Sequence, residues 1–264
     1  MHVSELFRYP VKSLRGERLD AADLDEFGVV GDRRWMVVDQ EGRFLTQREL
    51  PQMSGVQAHH LAGGLRLTHS ADRDCIEVSV PSAGADIEVR VWRDLCHARL
   101  ADSAAHSWLS AKLRFECRLV FMPSDSLRVV DPAYGEPGDR VAFADGFPLL
   151  LIGTGSLQSL NERLQQPVTI ERFRPNVVVL TTEPHVEDRW HRVALGGVEC
   201  AVVKPCSRCS IPRIDPETGV RGPEPMATLG TYRRDASRQV LFGQNLIHRG
   251  RGAVRLGDPV RCLA

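Results

Sequence analysis

Cys206-Ser207-Arg208-Cys209 is the sharpest local pattern capable of chemistry in this chain. Two thiols at this spacing can serve a structural zinc, a thiol–disulfide couple, or a single sulfur acting as nucleophile or soft-metal ligand. A structural zinc needs a second ligand pair at comparable spacing, and only Cys200 and His191 stand nearby. A redox couple wants its first thiol to open a helix, but Pro212 and Asp215-Pro216-Glu217-Thr218-Gly219 follow too closely. Two inert, buried thiols are the plain alternative. Against it, Lys204, Arg208 and Arg213 favour thiolate, which leaves the nucleophile or soft-metal ligand as the reading to test.

A second constellation is cationic. Lys12-Ser13, Arg33-Arg34, Arg172, Arg174 and Arg208 sit beside turns or strand ends and not in a charge run. Such residues are usually solvated surface charges. Yet arginine suits bidentate phosphate and carboxylate contacts, and the helix start at Thr154 to Ser156 would add free N–H groups. Together these parts could hold a phosphate. Asp145-Gly146 and Asp215 read as turn residues, and Asp215 is the carboxylate close enough to the cysteines to test as a proton donor. No nucleotide loop, H-E-x-x-H pair or G-x-S-x-G elbow is present. His59-His60 fits none of these patterns.

The elements that must position these residues are mostly short strands. Arg34–Asp39 and Arg43–Gln47 flank Gln40-Glu41-Gly42, a hairpin-type turn with glycine where positive φ is needed. Leu65–Thr68, Cys75–Val80 and Ile87–Trp92 follow, the last two alternating apolar and polar residues, with turn chemistry at Pro81-Ser82-Ala83-Gly84 between them. Asp102–Leu113 has helical spacing, with Asp102 or Ser103 as cap, and Cys117–Met122 reads as strand before a Pro/Gly/Asp-rich loop to Arg140. Phe147–Ile152 then leads through Gly153-Thr154-Gly155-Ser156 into a helix whose Leu157, Leu160 and Leu164 share one face. Strands are expected at Asn176–Thr181, at Val198–Val203 and in the tail. The fold expected is mostly β with some α: a barrel-like domain over 1–118 and a second β-barrel domain with short helices over 119–264, the boundary approximate and the two interleaved if strands cross over.

Composition bounds the partners. The 264 residues carry 34 Lys plus Arg and 34 Asp plus Glu, which argues against a general polyanion binder such as a histone-like protein. No stretch approaches the roughly 18 apolar residues of a membrane helix, and the N-terminus lacks a signal-peptide core. Seven scattered cysteines do not form a disulfide framework. A soluble, cytoplasmic protein with free thiols is expected, without nucleic-acid or membrane partners.

Five stretches then occur in order: Tyr9-Pro10-Val11-Lys12-Ser13, Gly31-Asp32-Arg33-Arg34-Trp35, Arg172-Phe173-Arg174-Pro175-Asn176, Cys206-Ser207-Arg208-Cys209 with Asp215–Gly219, and Leu241-Phe242-Gly243-Gln244-Asn245. Their order resembles MOSC-domain proteins with an N-terminal β-barrel domain, the group that includes mitochondrial amidoxime-reducing components and bacterial relatives. The resemblance implies a molybdenum cofactor, with Cys209 as metal ligand and catalytic residue. It implies cofactor contacts at Lys12, Ser13, Arg33, Arg174, Asn176, Ser207 and Arg208, and, on a looser match, at Thr154 and Ser156; Cys206 would pack. The implied activity is reduction of small N-hydroxylated compounds, two electrons and two protons releasing water. No added C-x₄-C-x₂-C segment is present, so electrons would come from a separate reductase or iron–sulfur or haem protein. The rival reading is a persulfide or molybdenum-cofactor carrier, and a third is a binding module with a zinc or empty site.

Overall fold

The structure is a computed structural model describing residues 1–82 and 85–263. Its largest unit is an eight-stranded sheet. In spatial order the strands are Val260–Leu263, Arg192–Leu195, Val198–Ser207, Leu241–His248, Leu149–Gly153, Val177–Val179, Val3–Arg8 and Glu17–Leu19. Two strands from the start of the chain thus close the edge of a sheet built by the second half. A four-stranded sheet orders Trp35–Val38, Arg118–Phe121, Asp94–Leu100 and Asp86–Val91, and two three-stranded sheets complete the β structure. The mostly β fold expected from the turn spacing is what forms. Among the described residues no helix is long and apolar enough to cross a membrane.

Local chemistry explains where elements start and stop. Helix α1, Ser103–Leu113, is capped by the Asp102 carboxylate, which accepts the Ala105 N–H at 2.7 Å, and it buries Ala105, Leu109 and Leu113 against the first-half core. The Gly42 turn forms with φ +78°, but only isolated bridges link Arg43 and Phe44 to their neighbours, so no regular strand covers 43–47. Cys75–Ser79 and Asp86–Val91 both form, in different sheets. Ala83 and Gly84 of the expected turn between them lie outside the described residues. His59 and His60 sit on the strand Val56–Leu61, where the His60 N–H donates to Glu17 at 2.9 Å and His59 lies 3.3 Å from the same carboxylate. Both contacts tie that strand to Glu17.

Helix α2 spans Thr154–Asn161, starting earlier and ending sooner than its leucine spacing implied, and helix α3 covers Met226–Tyr232. Beside them the His185 ring packs between Tyr232 and Phe242, with both ring nitrogens buried and unpartnered among the described residues. Burial, reinforced by the Arg233 cation, pushes its pKa from 6.5 down to about 4. The unfolded chain therefore takes up a proton as pH falls through 6.5, while the folded chain does so only near 4. Stability contributed by the neutral ring is complete above the upper value and lost toward the lower one, by about 1–2 kcal/mol between pH 7 and pH 5. Urea midpoints at the two pH values should show this loss, and His185→Phe should remove most of it. Equal slopes in both proteins would refute the assignment.

Candidate functional site

Loop residues of the first half of the chain meet the large sheet along a cleft of about 130 Å³. Lys12, Ser13, Arg33, Arg174, Asn176, Ser207, Arg208 and Cys209 all line it. These residues span almost 200 positions of chain, and tertiary structure brings all eight together.

Each is placed by a definable local device. Lys12 donates its backbone N–H to Trp35 O at 2.8 Å, and its ammonium reaches Phe143 O at 2.8 Å and Asp145 Oδ1 at 2.5 Å. Arg174 ends the 3₁₀ turn Ile170–Phe173 in a left-handed conformation, φ +55°, and donates from Nη1 to Leu14 O at 2.7 Å. Arg33 is also left-handed, φ +48°, and Ser13 has φ +67°. Such backbone costs about 1–3 kcal/mol per residue and persists where surroundings over-determine it. Here the surroundings are specific. Arg33 bonds Asp32 at 2.5 Å, Asn176 Oδ1 at 3.1 Å and Arg174 O at 3.1 Å.

Two guanidiniums lie on one ring. Arg33 and Arg174 stand 4.5 and 4.2 Å from the Tyr9 ring centroid, so the negative ring face offsets repulsion between the cations. Burial lowers the Arg174 pKa to about 10, and the Arg33 charge pushes the same way. It remains a cation at neutral pH. Asn176 is fully buried and mostly occupied: Oδ1 accepts from Leu150 N–H and Arg33, while Nδ2 donates to Phe7 O. Its role is to hold Arg33 and three strands in place.

Cys209 follows the strand Val198–Ser207 and precedes the 3₁₀ turn Ile211–Arg213. It is half-buried, and its sulfur accepts the Ile211 N–H at 3.5 Å. The expected basic setting of the sulfurs is only partly realised. Lys204 lies over Tyr134 and Arg213 bonds Gly222 O, while Arg208 reaches a sulfur, that of Cys206, at 3.0 Å. Cys206 also lines the cleft. Cys200 is buried in the sheet, where desolvation pushes its thiol up to about 12. Among the described residues, no group of three or more His, Cys, Asp or Glu could hold a metal ion.

Thr154 and Ser156 are the exceptions. They lie outside the cleft, because the N-terminus of α2 is already answered from within the protein. Glu187, fully buried, accepts the Gly153 N–H at 3.1 Å and the Ser156 hydroxyl at 2.6 Å, and Thr181 Oγ1 accepts the Gly155 N–H at 3.0 Å. An internal carboxylate fills the anion position. Arg34 and Arg172 also point elsewhere, to Met122 O and to Asp215. Asp215 lines neither the cleft nor its opening. Partial burial opposes its charge, but N–H groups of Thr218 and Glu217 and the Arg172 cation outweigh it and hold the carboxyl below its usual range. Asp215 is thus held as a carboxylate away from both openings.

Asp145 is the residue that sequence reasoning passed over. It borders both the cleft and the wider opening outside it, bonding Lys12 and the Trp92 indole N–H, the latter at 3.2 Å. Desolvation opposes its charge, and the Lys12 ammonium more than offsets this, holding the carboxyl well below the carboxylate range. Desolvation in turn lowers the Lys12 pKa against the pull of Asp145. Because 66 % of the Asp145 side chain is exposed, screening limits the pair, and Asp145→Asn should cost about 1 kcal/mol. Urea unfolding at neutral pH measures it. No loss would mean that Phe143 O alone satisfies the ammonium. An Asp-Gly dipeptide reads as a turn, and its partner lies 133 residues away, so no local signal could have found it.

Residues 1–116 match the MOSC N-terminal beta barrel domain and residues 138–261 match the MOSC domain. The chain is 32% identical to mitochondrial amidoxime-reducing component 1 of Mus musculus over 99% of this chain and 82% of that protein. It is 31% identical to the Homo sapiens protein of the same name over 99% of this chain and 82% of that one. It is 28% identical to molybdenum cofactor sulfurase of Oryza sativa subsp. japonica, over 92% of this chain and 32% of that protein. With both domains matched and similarity running nearly end to end, the chain belongs to the MOSC-domain family that contains the mitochondrial amidoxime-reducing components.

Proposed function

We propose that this protein is a molybdenum-cofactor-dependent reductase of N-hydroxylated compounds that draws electrons from a separate redox partner. The observation that carries this reading is the convergence of four cations, Lys12, Arg33, Arg174 and Arg208, with the Cys209 sulfur in one cleft. The names of the mouse and human relatives support the substrate class.

The cleft fits such a group by its own chemistry. Arg174 Nη2 and Arg208 Nε are buried and lack hydrogen-bond partners among the described residues, as donors reserved for an anion would be. A half-buried sulfur stands beside them, a ligand type suited to a soft metal. Lys12, Ser13, Arg33, Arg174, Ser207 and Arg208 would hold the phosphorylated pterin, with Asn176 behind them fixing Arg33, and Cys209 would hold its metal. When bound, the cofactor supplies the two-electron chemistry that breaks an N–O bond.

The chain's own residues do the rest. Asp32, Asn176 and Tyr9 fix the Arg33 and Arg174 guanidiniums, so their charge needs no reorganisation when an anion arrives. Lys12 Nζ donates to Asp145 Oδ1, and that carboxylate orients it. Strand Val3–Arg8, paired with Val177–Val179, ties the proposed domains 1–118 and 119–264 together. All seven cysteines are free thiols, in keeping with the proposed cytoplasmic location.

Similarity to the rice sulfurase favours a second reading, a persulfide or cofactor carrier centred on the same sulfur. Metal analysis, pterin fluorescence and cyanolysable sulfur, measured on protein from a host that makes the cofactor, decide between them. Molybdenum and pterin at one per chain, with amidoxime reduction on addition of a chemical reductant, support the reductase. Labile sulfur without metal supports the carrier, and zinc with neither would overturn both.

A further inference from the structure

On the outer side of the Cys209 loop a wider cleft opens, about 880 Å³ in volume. Ser207, Arg208, Cys209 and Asp145 belong to both clefts, so a molecule entering here meets the sulfur. The charge around this opening is one-sided. Arg93, Arg128, Arg208, Arg234 and Arg238 line it against two carboxylates, Asp94 and Asp145. Both carboxylates are already matched, Asp94 by Arg128 at 2.8 Å and Asp145 by Lys12 at 2.5 Å.

Four arginines thus have no carboxylate partner among the described residues: Arg93, Arg208, Arg234 and Arg238. Arg208 is held by Phe173 O at 2.7 Å, and Arg234 by Gly230 O and Arg238 O, each at 2.8 Å. Backbone carbonyls orient these guanidiniums without neutralising them. Arg238 and Trp92 at the rim have φ of +63° and +58°, the kind of backbone that persists only where the surroundings fix it. In a chain with 34 cationic and 34 anionic side chains, this is a local excess, and clustered charge of one sign steers oppositely charged molecules toward the opening.

We infer that the outer cleft selects N-hydroxylated substrates that carry a carboxylate or a phosphate, with Arg93, Arg234 and Arg238 as the anion-binding residues. The N-hydroxy end of this inference rests on the reductase reading, and the anionic end rests on the charge distribution of the chain. The cofactor's own phosphate is assigned to the inner cleft by Lys12, Arg33 and Arg174, which do not line the outer one. The outer arginines are left for the substrate.

The test uses the full chain loaded with cofactor and three aryl amidoximes that differ in one substituent: uncharged, carboxylate or phosphate. At low salt the better anionic compound should have a KM about tenfold below that of the neutral one. The gap should close as ionic strength rises and the screening length falls toward about 8 Å. Arg93→Gln with Arg238→Gln should raise KM for the anionic compounds about tenfold, with kcat and the neutral compound little changed. Arg234→Gln provides a second variant should that pair misfold. The carboxylate and phosphate arms show which anion is preferred. Calorimetric binding of benzoate, phenyl phosphate and benzamide gives a readout that needs no turnover.

Equal KM values for neutral and anionic compounds, or variants that raise both alike, would overturn the inference while leaving the reductase intact. If no amidoxime is reduced but benzoate or phenyl phosphate still binds more tightly than benzamide, the reductase reading falls and the anion site stands.

Discussion

Replacing Cys209 by serine is expected to lower the molybdenum content of the purified protein by more than about tenfold, with the far-ultraviolet circular dichroism unchanged. Removing groups that merely support a metal ligand typically costs about 10–100-fold in affinity, and a lost ligand costs at least as much. A hydroxyl is a harder donor than a sulfur and a poorer match for a soft metal. The side chain is half-buried at the junction of two clefts, with one backbone N–H on its sulfur, so the exchange should leave the fold intact. Elemental analysis of both proteins from the same host reads the result. Equal molybdenum in the two, with amidoxime reduction intact, would remove Cys209 from the centre of this reading.

Arg33→Ala should be the most destabilising of the single substitutions within the cleft. Its partner Asp32 has only 2% of its side chain exposed, and Arg33 itself 12%. Asp32 also accepts the Tyr9 N–H at 2.7 Å, so it cannot turn away toward water. Removing one member of a buried ion pair leaves the other charged and desolvated, at a cost of about 3–5 kcal/mol. Asn176 and the Arg174 carbonyl lose a donor in the same step. Denaturant unfolding should show the loss, and adding Asp32→Asn should recover part of it by removing the stranded charge. A loss below about 1 kcal/mol would mean that water enters and solvates Asp32. Pterin retention should fall in the single and the double variant alike, since neither keeps the guanidinium.

Local signals made much of the fold readable. Asp102 announces α1 because its carboxylate can reach Ala105 N–H within one turn. Gly42 announces its turn because φ +78° suits a residue without a Cβ. Helix α3 escaped notice because Gly230 interrupts a span of seven residues and its N-cap residue, Pro225, offers no capping side chain. The sequence allows for interleaved domains, but that Val3–Arg8 is the strand that crosses into the large sheet is not readable in it, for another reason. Its partner Val177–Val179 lies some 170 residues away, and period-two alternation does not say which strands pair.

The candidate site divides along the same line. Residue types alone fixed a sulfur at position 209 and a set of cations suited to a phosphorylated ligand, because those properties belong to the side chains themselves. Convergence is a property of the folded chain. Only the tertiary structure decided that Arg174 enters the cleft while Arg172 turns to Asp215, and that Asp145 meets Lys12. It also decided that Glu187 fills the α2 terminus proposed for an anion. Each outcome depends on groups distant in sequence competing for one position in space, and in such a competition burial and geometry choose the partner.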